Sequence, residues 1–142
     1  MNAKDLLFRG IKLTHQTLFR LTGGRLTGKM AGMEVVMLTT TGRKSGERRT
    51  TPLTVPVQDG DTVVLVASYG GDSRHPAWYL NLRDDPDVWL DRGKGAEPMT
   101  ARTATAEEKA ALWPRITETY KGYAGYQTRT DRDIPVVLLT PR

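Results

Sequence analysis

At 142 residues, with 38% hydrophobic and 26% charged side chains, the chain has the size and composition of one folded domain, not of a disordered or fibrous segment. It contains no cysteine, which excludes disulfides, thiol catalysis and cysteine metal sites, and no apolar run approaches the roughly 18 residues needed to cross a bilayer. The net charge of +5 is uneven: residues 1–50 hold ten Lys/Arg against three Asp/Glu, whereas the other 92 hold eleven against thirteen, so any anionic partner belongs with the N-terminal third.

In chain order, Lys4–Leu21 places Leu7, Ile11, Leu18 and Leu21 at helical spacing with a basic opposite face, and Gly23-Gly24 ends it. The expected organisation is a single domain over residues 1–142 whose residues 1–22 form this amphipathic helix. Nothing in it reads as a secretory leader, so a cytoplasmic location is expected. The basic face leaves peripheral contact with an anionic membrane surface open.

Strand signals follow. Glu34–Thr41 (EVVMLTTT) is rich in β-branched residues, and Thr50–Val57 (TTPLTVPV) reads as an edge or interrupted strand because of its two prolines. Gln58–Asp61 is a turn, and Thr62–Ser68 (TVVLVAS) is the most apolar strand. Together they predict a three-strand meander. A short helix is expected after His75-Pro76, bounded by Pro86. Two more strands around VWLDRG and MTARTAT lead to a capping box at Thr105–Glu108, opening a helix that Pro114 should kink or restart. The glycines of Tyr120–Tyr126 suggest a mobile flap, and Ile134–Thr140 (IPVVLLT) closes the chain as a strand. About six short strands and three helices without βαβ alternation argue for an α+β fold, a small and mostly antiparallel barrel.

Two segments stand out chemically. Thr39–Pro52 (TTTGRKSGERRTTP) puts Arg43, Lys44, Arg48 and Arg49 on a loop between strands, punctuated by Gly42 and Gly46. Arginine forks and a lysine point charge suit phosphates and carboxylates, and glycine-flanked backbone amides suit anions. Tyr120, Tyr123 and Tyr126 recur every three residues and offer flat apolar bodies with hydroxyl handles. Neither His15 nor His75 has a second histidine nearby, so no metal site or hydrolytic triad is expected. A cofactor would have to carry the hard chemistry.

The order and spacing of TTTGRKSGERRTTPL, VLVAS, HPAWYLNL and YKGYAGYQTRTDRDIP resemble the deazaflavin-dependent nitroreductase family of actinobacteria, also described as F420-dependent quinone reductases. The resemblance runs from about Leu21 to Pro141. It implies a split β-barrel and coenzyme F420, a deazaflavin joined through a phosphate to a lactyl-oligoglutamate tail. It assigns Arg43, Lys44, Ser45, Gly46 and Arg49 to the tail, with Arg48 auxiliary. Pro52, Leu53, Ala67, Ser68, Trp78 and Tyr79 are assigned to the deazaflavin, and Ser68, Tyr120, Tyr123 and Tyr126 to orienting the acceptor. The implied reaction is hydride transfer from reduced F420 to a quinone, or to a nitro compound or activated alkene, with no side-chain nucleophile.

Relative to the nitro-reducing pattern, Thr54 replaces a tyrosine and opens that wall, Tyr69 replaces a lysine and removes a tail or phosphate contact, and Arg129 replaces a tryptophan. The resemblance therefore implies the cofactor more firmly than the acceptor and does not imply nitroimidazole activation. Competing readings are an FMN enzyme on a related barrel and a non-catalytic carrier of a lipophilic ligand. A nucleic-acid-binding module is disfavoured because its cations would be interleaved with stacking aromatics. Oligomeric state is left open.

Overall fold

The computed structural model describes residues 29–142 apart from Ala31; the helix expected at Lys4–Leu21 lies outside the described residues. Eight antiparallel strands form one curled sheet: β1 (Lys29–Met30), β2 (Met33–Thr41), β3 (Arg48–Val55), β4 (Val57–Asp59), β5 (Thr62–Val66), β6 (Asp87–Asp91), β7 (Ala96–Thr103) and β8 (Val136–Pro141). Helices α1 (Ala77–Asp84), α2 (Ala106–Thr119) and α3 (Gly122–Thr128) flank them. This is the expected α+β split barrel, with β1 and β4 as short additions.

Strand order is β1-β2-β6-β7-β8-β5-β4, with β3 hydrogen-bonded to β2 alone. The expected meander therefore breaks after its first hairpin. Pro56 has no N–H to continue a ladder and sits between β3 and β4, so β5 pairs with β4 and β8 instead of β3. The β2–β3 hairpin runs in register from Glu34↔Val55 to Thr41↔Arg48.

Alternation along these strands sorts two cores. One encloses Val36, Leu38, Leu65, Ala67, Leu90, Ala101 and Leu139, and α1 adds Tyr79 and Leu82 to it. The other lies on the opposite face of β5 and β8. There Val64, Val66, Val136 and Leu138 meet Ile116 of α2 and Tyr123 of α3. Fully burying a leucine or valine contributes about 1.5–3 kcal/mol, so both faces of the sheet are committed to packing.

The capping box forms as expected: Glu108 N–H donates to Thr105 Oγ1 at 3.1 Å, and Thr105 N–H donates to Glu108 Oε1 at 2.9 Å. The Arg102 fork grips the same carboxylate, and its hydrogen bonds, then that of the Thr105 amide, hold Glu108 down to about 2. Two helical expectations are corrected. Pro114 does not restart the helix, which runs as one element from Ala106 to Thr119; the carbonyl that loses its donor belongs to exposed Ala110, open to solvent. The tyrosine segment is not a flap: Tyr120 ends α2, and Tyr123 and Tyr126 lie on the helix α3. At Gly122 a side chain would collide with the Tyr120 ring, so this glycine lets the aromatic pack closely.

Candidate active site

The basic loop is a built structure. Gly42 N–H donates to Glu47 O at 2.7 Å and Gly46 N–H to Gly42 O at 2.8 Å. Ser45 Oγ accepts from Glu47 N–H at 3.1 Å, and Gly46 takes the left-handed φ of 74° that favours glycine. Ser45 and Gly46 thus shape the loop that displays the cations.

Those cations point to two sides. Thr40↔Arg49 and Thr41↔Arg48 are successive pairs of one ladder, so Arg48 and Arg49 lie on opposite faces. Arg48 stacks 3.7 Å from the centre of the Trp89 ring, which turns it away from Arg49. Arg49 pairs with exposed Glu47 at 3.2 Å, while Lys44 is exposed and forms no ion pair with a described residue.

Arg43 is fastened by a residue that the sequence reading missed. Asn81, on α1 and only 4% exposed, accepts from Arg43 N–H at 3.2 Å and from its guanidinium NH1 at 3.0 Å. Its own amide donates to Thr40 Oγ1 at 3.2 Å. One buried side chain therefore joins the loop, β2 and the helix that carries Trp78. The signal was present, because Asn81 lies three residues after Trp78 in HPAWYLNL, but its burial was not readable from sequence.

The ring-side residues separate by depth. Leu53 and Trp78, both half-buried, pack on the cluster containing Ala67 and Tyr79. Pro52 opposes Met37, on the strand face away from Leu53. Ala67 and Tyr79 are buried members of that cluster. Ala67 is completely buried, with its N–H donating to Pro135 O and its carbonyl accepting from Arg132. Tyr79 is buried with its hydroxyl 2.9 Å from Thr103 Oγ1. The polar groups of both are already paired within the protein.

The tyrosines form one cluster, with ring centroids 5.2–6.3 Å apart. Tyr123 is its buried member. Its hydroxyl lies 3.0 Å from Thr54 Oγ1 and faces Met33 Sδ, and burial raises its pKa. Tyr123 is thus the member of the cluster fixed in the core, with Thr54 as its hydrogen-bond partner. Tyr120 and Tyr126 are half-buried with hydroxyls 3.3 Å apart. The hydrogen bond to Tyr120, and then burial, raise the Tyr126 pKa, so its proton is retained at neutral pH. Arg129 stands over the Tyr126 ring at 5.6 Å.

Ser68 follows β5, and its hydroxyl makes no hydrogen bond to a described residue. Its carbonyl accepts from Arg132 NH2 at 2.8 Å, another contact that the charged run TDRD did not advertise. The same guanidinium faces His75 Nδ1 at 3.1 Å. Burial, then the charges of Arg132 and Arg83, lower the His75 pKa below its ordinary 6.5, so the ring is neutral at pH 7. The unfolded chain binds the proton more readily, and stability should be full above about pH 6.5 and decline as pH falls below it. Thermal unfolding at pH 7.5 and 5.5 should show a smaller acid-side loss for His75→Gln, which keeps an acceptor but cannot titrate; an equal loss would contradict this. Among the described residues no cluster of acids and histidines is arranged to hold a metal, and no helix is long and apolar enough to span a membrane.

The family model for F420H(2)-dependent quinone reductase matches residues 12–141. The chain belongs to that family. It is therefore an F420H2-dependent oxidoreductase, with coenzyme F420 as its cofactor. An F420H(2)-dependent quinone reductase of Mycobacterium tuberculosis H37Rv is 41% identical to it over 132 residues, 90% of this chain and 88% of the relative. The solved F420-H2 dependent reductase FDR-A is 43% identical with a TM-score of 0.66, covering 74% of this chain and 92% of that one. A solved chain described as a domain-swapped dimer is 39% identical with a TM-score of 0.68, covering 89% and 96%.

The donor set fits the cofactor chemically. F420 carries a phosphate and a carboxylate-rich tail, and the Gly42–Gly46 loop offers exposed guanidinium and ammonium donors with Glu47 as the acid beside them. The half-buried indole of Trp78 and the side chain of Leu53 supply apolar surface of the kind a flat ring requires.

Proposed function

We propose that this reductase holds the F420 tail on Arg43, Lys44 and Arg49, and the deazaflavin beside Leu53, Trp78 and Ser68. On this reading the acceptor is a quinone lying against Tyr120 and Tyr126. The observation that carries the proposal is the Asn81 anchor, because it fixes the first loop cation to the helix that bears Trp78. A cofactor with a flat ring at one end and anions at the other needs both features at a set separation.

Reduced F420, when bound, supplies a hydride from its deazaflavin C5. The protein's contribution is placement and electrostatics. Half-buried Tyr120 and Tyr126 are donors for an acceptor oxygen on which negative charge develops, and partial exclusion of water strengthens that bond. The unengaged Ser68 hydroxyl is a further donor at the end of β5. No nucleophile is required, which suits a site without cysteine or a histidine–acid pair. The domain-swapped neighbour supports an oligomeric state for this chain too, and a lipophilic quinone would favour peripheral contact with the cytoplasmic face of a membrane.

The test is aerobic recovery of F420 absorbance from F420H2, with menadione as quinone probe and a nitroimidazole alongside. Menadione-dependent oxidation well above background is expected, whereas its absence at saturating F420H2 would refute the quinone reading. In the same assay Tyr126→Phe should lower kcat by about 100- to 1,000-fold, the range for losing one donor to a developing oxyanion. Its F420 affinity should be nearly unchanged; a pure loss of cofactor affinity would contradict the assignment.

A further inference from the structure

The turn after β5 is left-handed for three residues in succession, with φ of 46° at Tyr69, 62° at Gly70 and 80° at Gly71. Tyr69 is the one positive-φ residue among those described that is not glycine. Such backbone persists only where its surroundings over-determine it, and it concentrates at functional sites.

The over-determining group here is one guanidinium. Arg132 donates from Nε to Asp72 O at 3.1 Å, from NH1 to Ala67 O at 3.0 Å and from NH2 to Ser68 O at 2.8 Å, with NH1 also meeting His75 Nδ1 at 3.1 Å. The arginine is itself braced. Its carbonyl accepts from Gln127 Nε2 at 2.8 Å, and Gln127 Oε1 accepts from Lys109 Nζ of α2 at 3.1 Å. The turn and α3 also touch directly: a Cβ on Gly71 would come within 2.9 Å of Tyr126 O and 3.0 Å of Arg129 Cβ.

We infer that Arg132 is a positioning residue for the reaction, holding the Ala67–Asp72 turn in register with α3 and so fixing Ser68 relative to the Tyr126 hydroxyl. This rests on the assignment of Ser68 and Tyr126 proposed above. The requirement is geometric as well as electrostatic. A planar fork reaches carbonyls at both ends of the turn at once, whereas a lysine ammonium is a point with three donors and cannot span them. The charge alone would be conserved by lysine; the register would not.

The experiment compares wild type with Arg132→Lys, and with Gly71→Ala as an independent wedge between turn and helix. F420 affinity, kcat and KM with menadione, melting temperature and amide exchange at residues 67–72 are measured on each. We expect kcat to fall about 100-fold, the cost of an ångström-scale misplacement, with F420 affinity little changed and faster exchange confined to the turn. Wild-type kcat with unchanged exchange in Arg132→Lys would overturn the inference. So would a parallel loss of F420 affinity, turnover and melting temperature in both variants, which is the signature of a merely structural residue. If wild type itself leaves menadione unreduced, the acceptor assignment fails separately. The exchange measurement then decides alone: acceleration at residues 67–72 sustains Arg132 as the holder of the turn, and none overturns it.

Discussion

Replacing Arg43 and Lys44 together by alanine should weaken F420 binding by about 100-fold or more at low salt, since each charge-assisted hydrogen bond lost is worth roughly 1.5–3 kcal/mol. Lys44 is exposed and without a described ion-pair partner, and Arg43 keeps donors beyond those given to Asn81. Both remain available to tail anions. Because these groups are exposed, ions screen them, so the gap between wild type and variant should narrow as salt rises. Stability should scarcely change, since neither side chain is buried. Equal affinity of the two proteins at low salt, measured by deazaflavin fluorescence, would remove the loop from the cofactor site.

Asn81→Leu should be the most damaging single change near the loop. It preserves approximate volume but strands the Arg43 amide and the Thr40 hydroxyl, both of which Asn81 satisfies. Leaving the buried Thr40 hydroxyl unpaired costs about 1–3 kcal/mol. The Arg43 amide, on an exposed residue, adds less, so a loss of roughly 2–4 kcal/mol is expected by chemical denaturation. F420 affinity should fall as well, because Arg43 loses its fixed orientation. Asn81→Asp keeps the acceptor for Arg43 but places a carboxylate beside the cation. It should therefore recover most of the stability while still binding F420 poorly. An Asp variant that binds F420 like wild type would show that Arg43's charge is not used.

Much of the fold was legible because its signals are local. The β-branched runs of β2, β5 and β8 alternate or stay apolar as strands do, and the Thr105–Glu108 cap lies within four residues. What escaped was decided at a distance. The break after β3 depends on β8, some 80 residues later, offering β5 a better partner. Glycine costs a helix about 1 kcal/mol relative to alanine, which favoured a flap at Tyr120–Tyr126, yet the edge-on and tilted packing of three rings and the docking of Tyr123 on the second core outweigh it.

The candidate site divides in the same way. Its cationic turn was legible as a cluster of displayed charge, although only Arg43 and Lys44 lie between the strands, Arg48 and Arg49 being the first residues of β3. Depth was not. Tyr79 and Tyr126 look alike in sequence, and only packing shows that the hydroxyl of the first is paired to Thr103 while the second is half-exposed. Asn81 and Arg132 were missed because their partners are chiefly backbone and loop atoms 38 to 65 residues away. No periodicity or motif spacing encodes such contacts.

The central claim is that the Gly42–Gly46 loop and the Trp78 helix together form an F420 site. It is tested most directly by titrating the protein with F420 at low and high salt, followed by fluorescence, with FMN as control. The account predicts binding of F420 that weakens as salt rises, and little binding of FMN. Binding of FMN in preference to F420, or F420 affinity indifferent to salt, would contradict it.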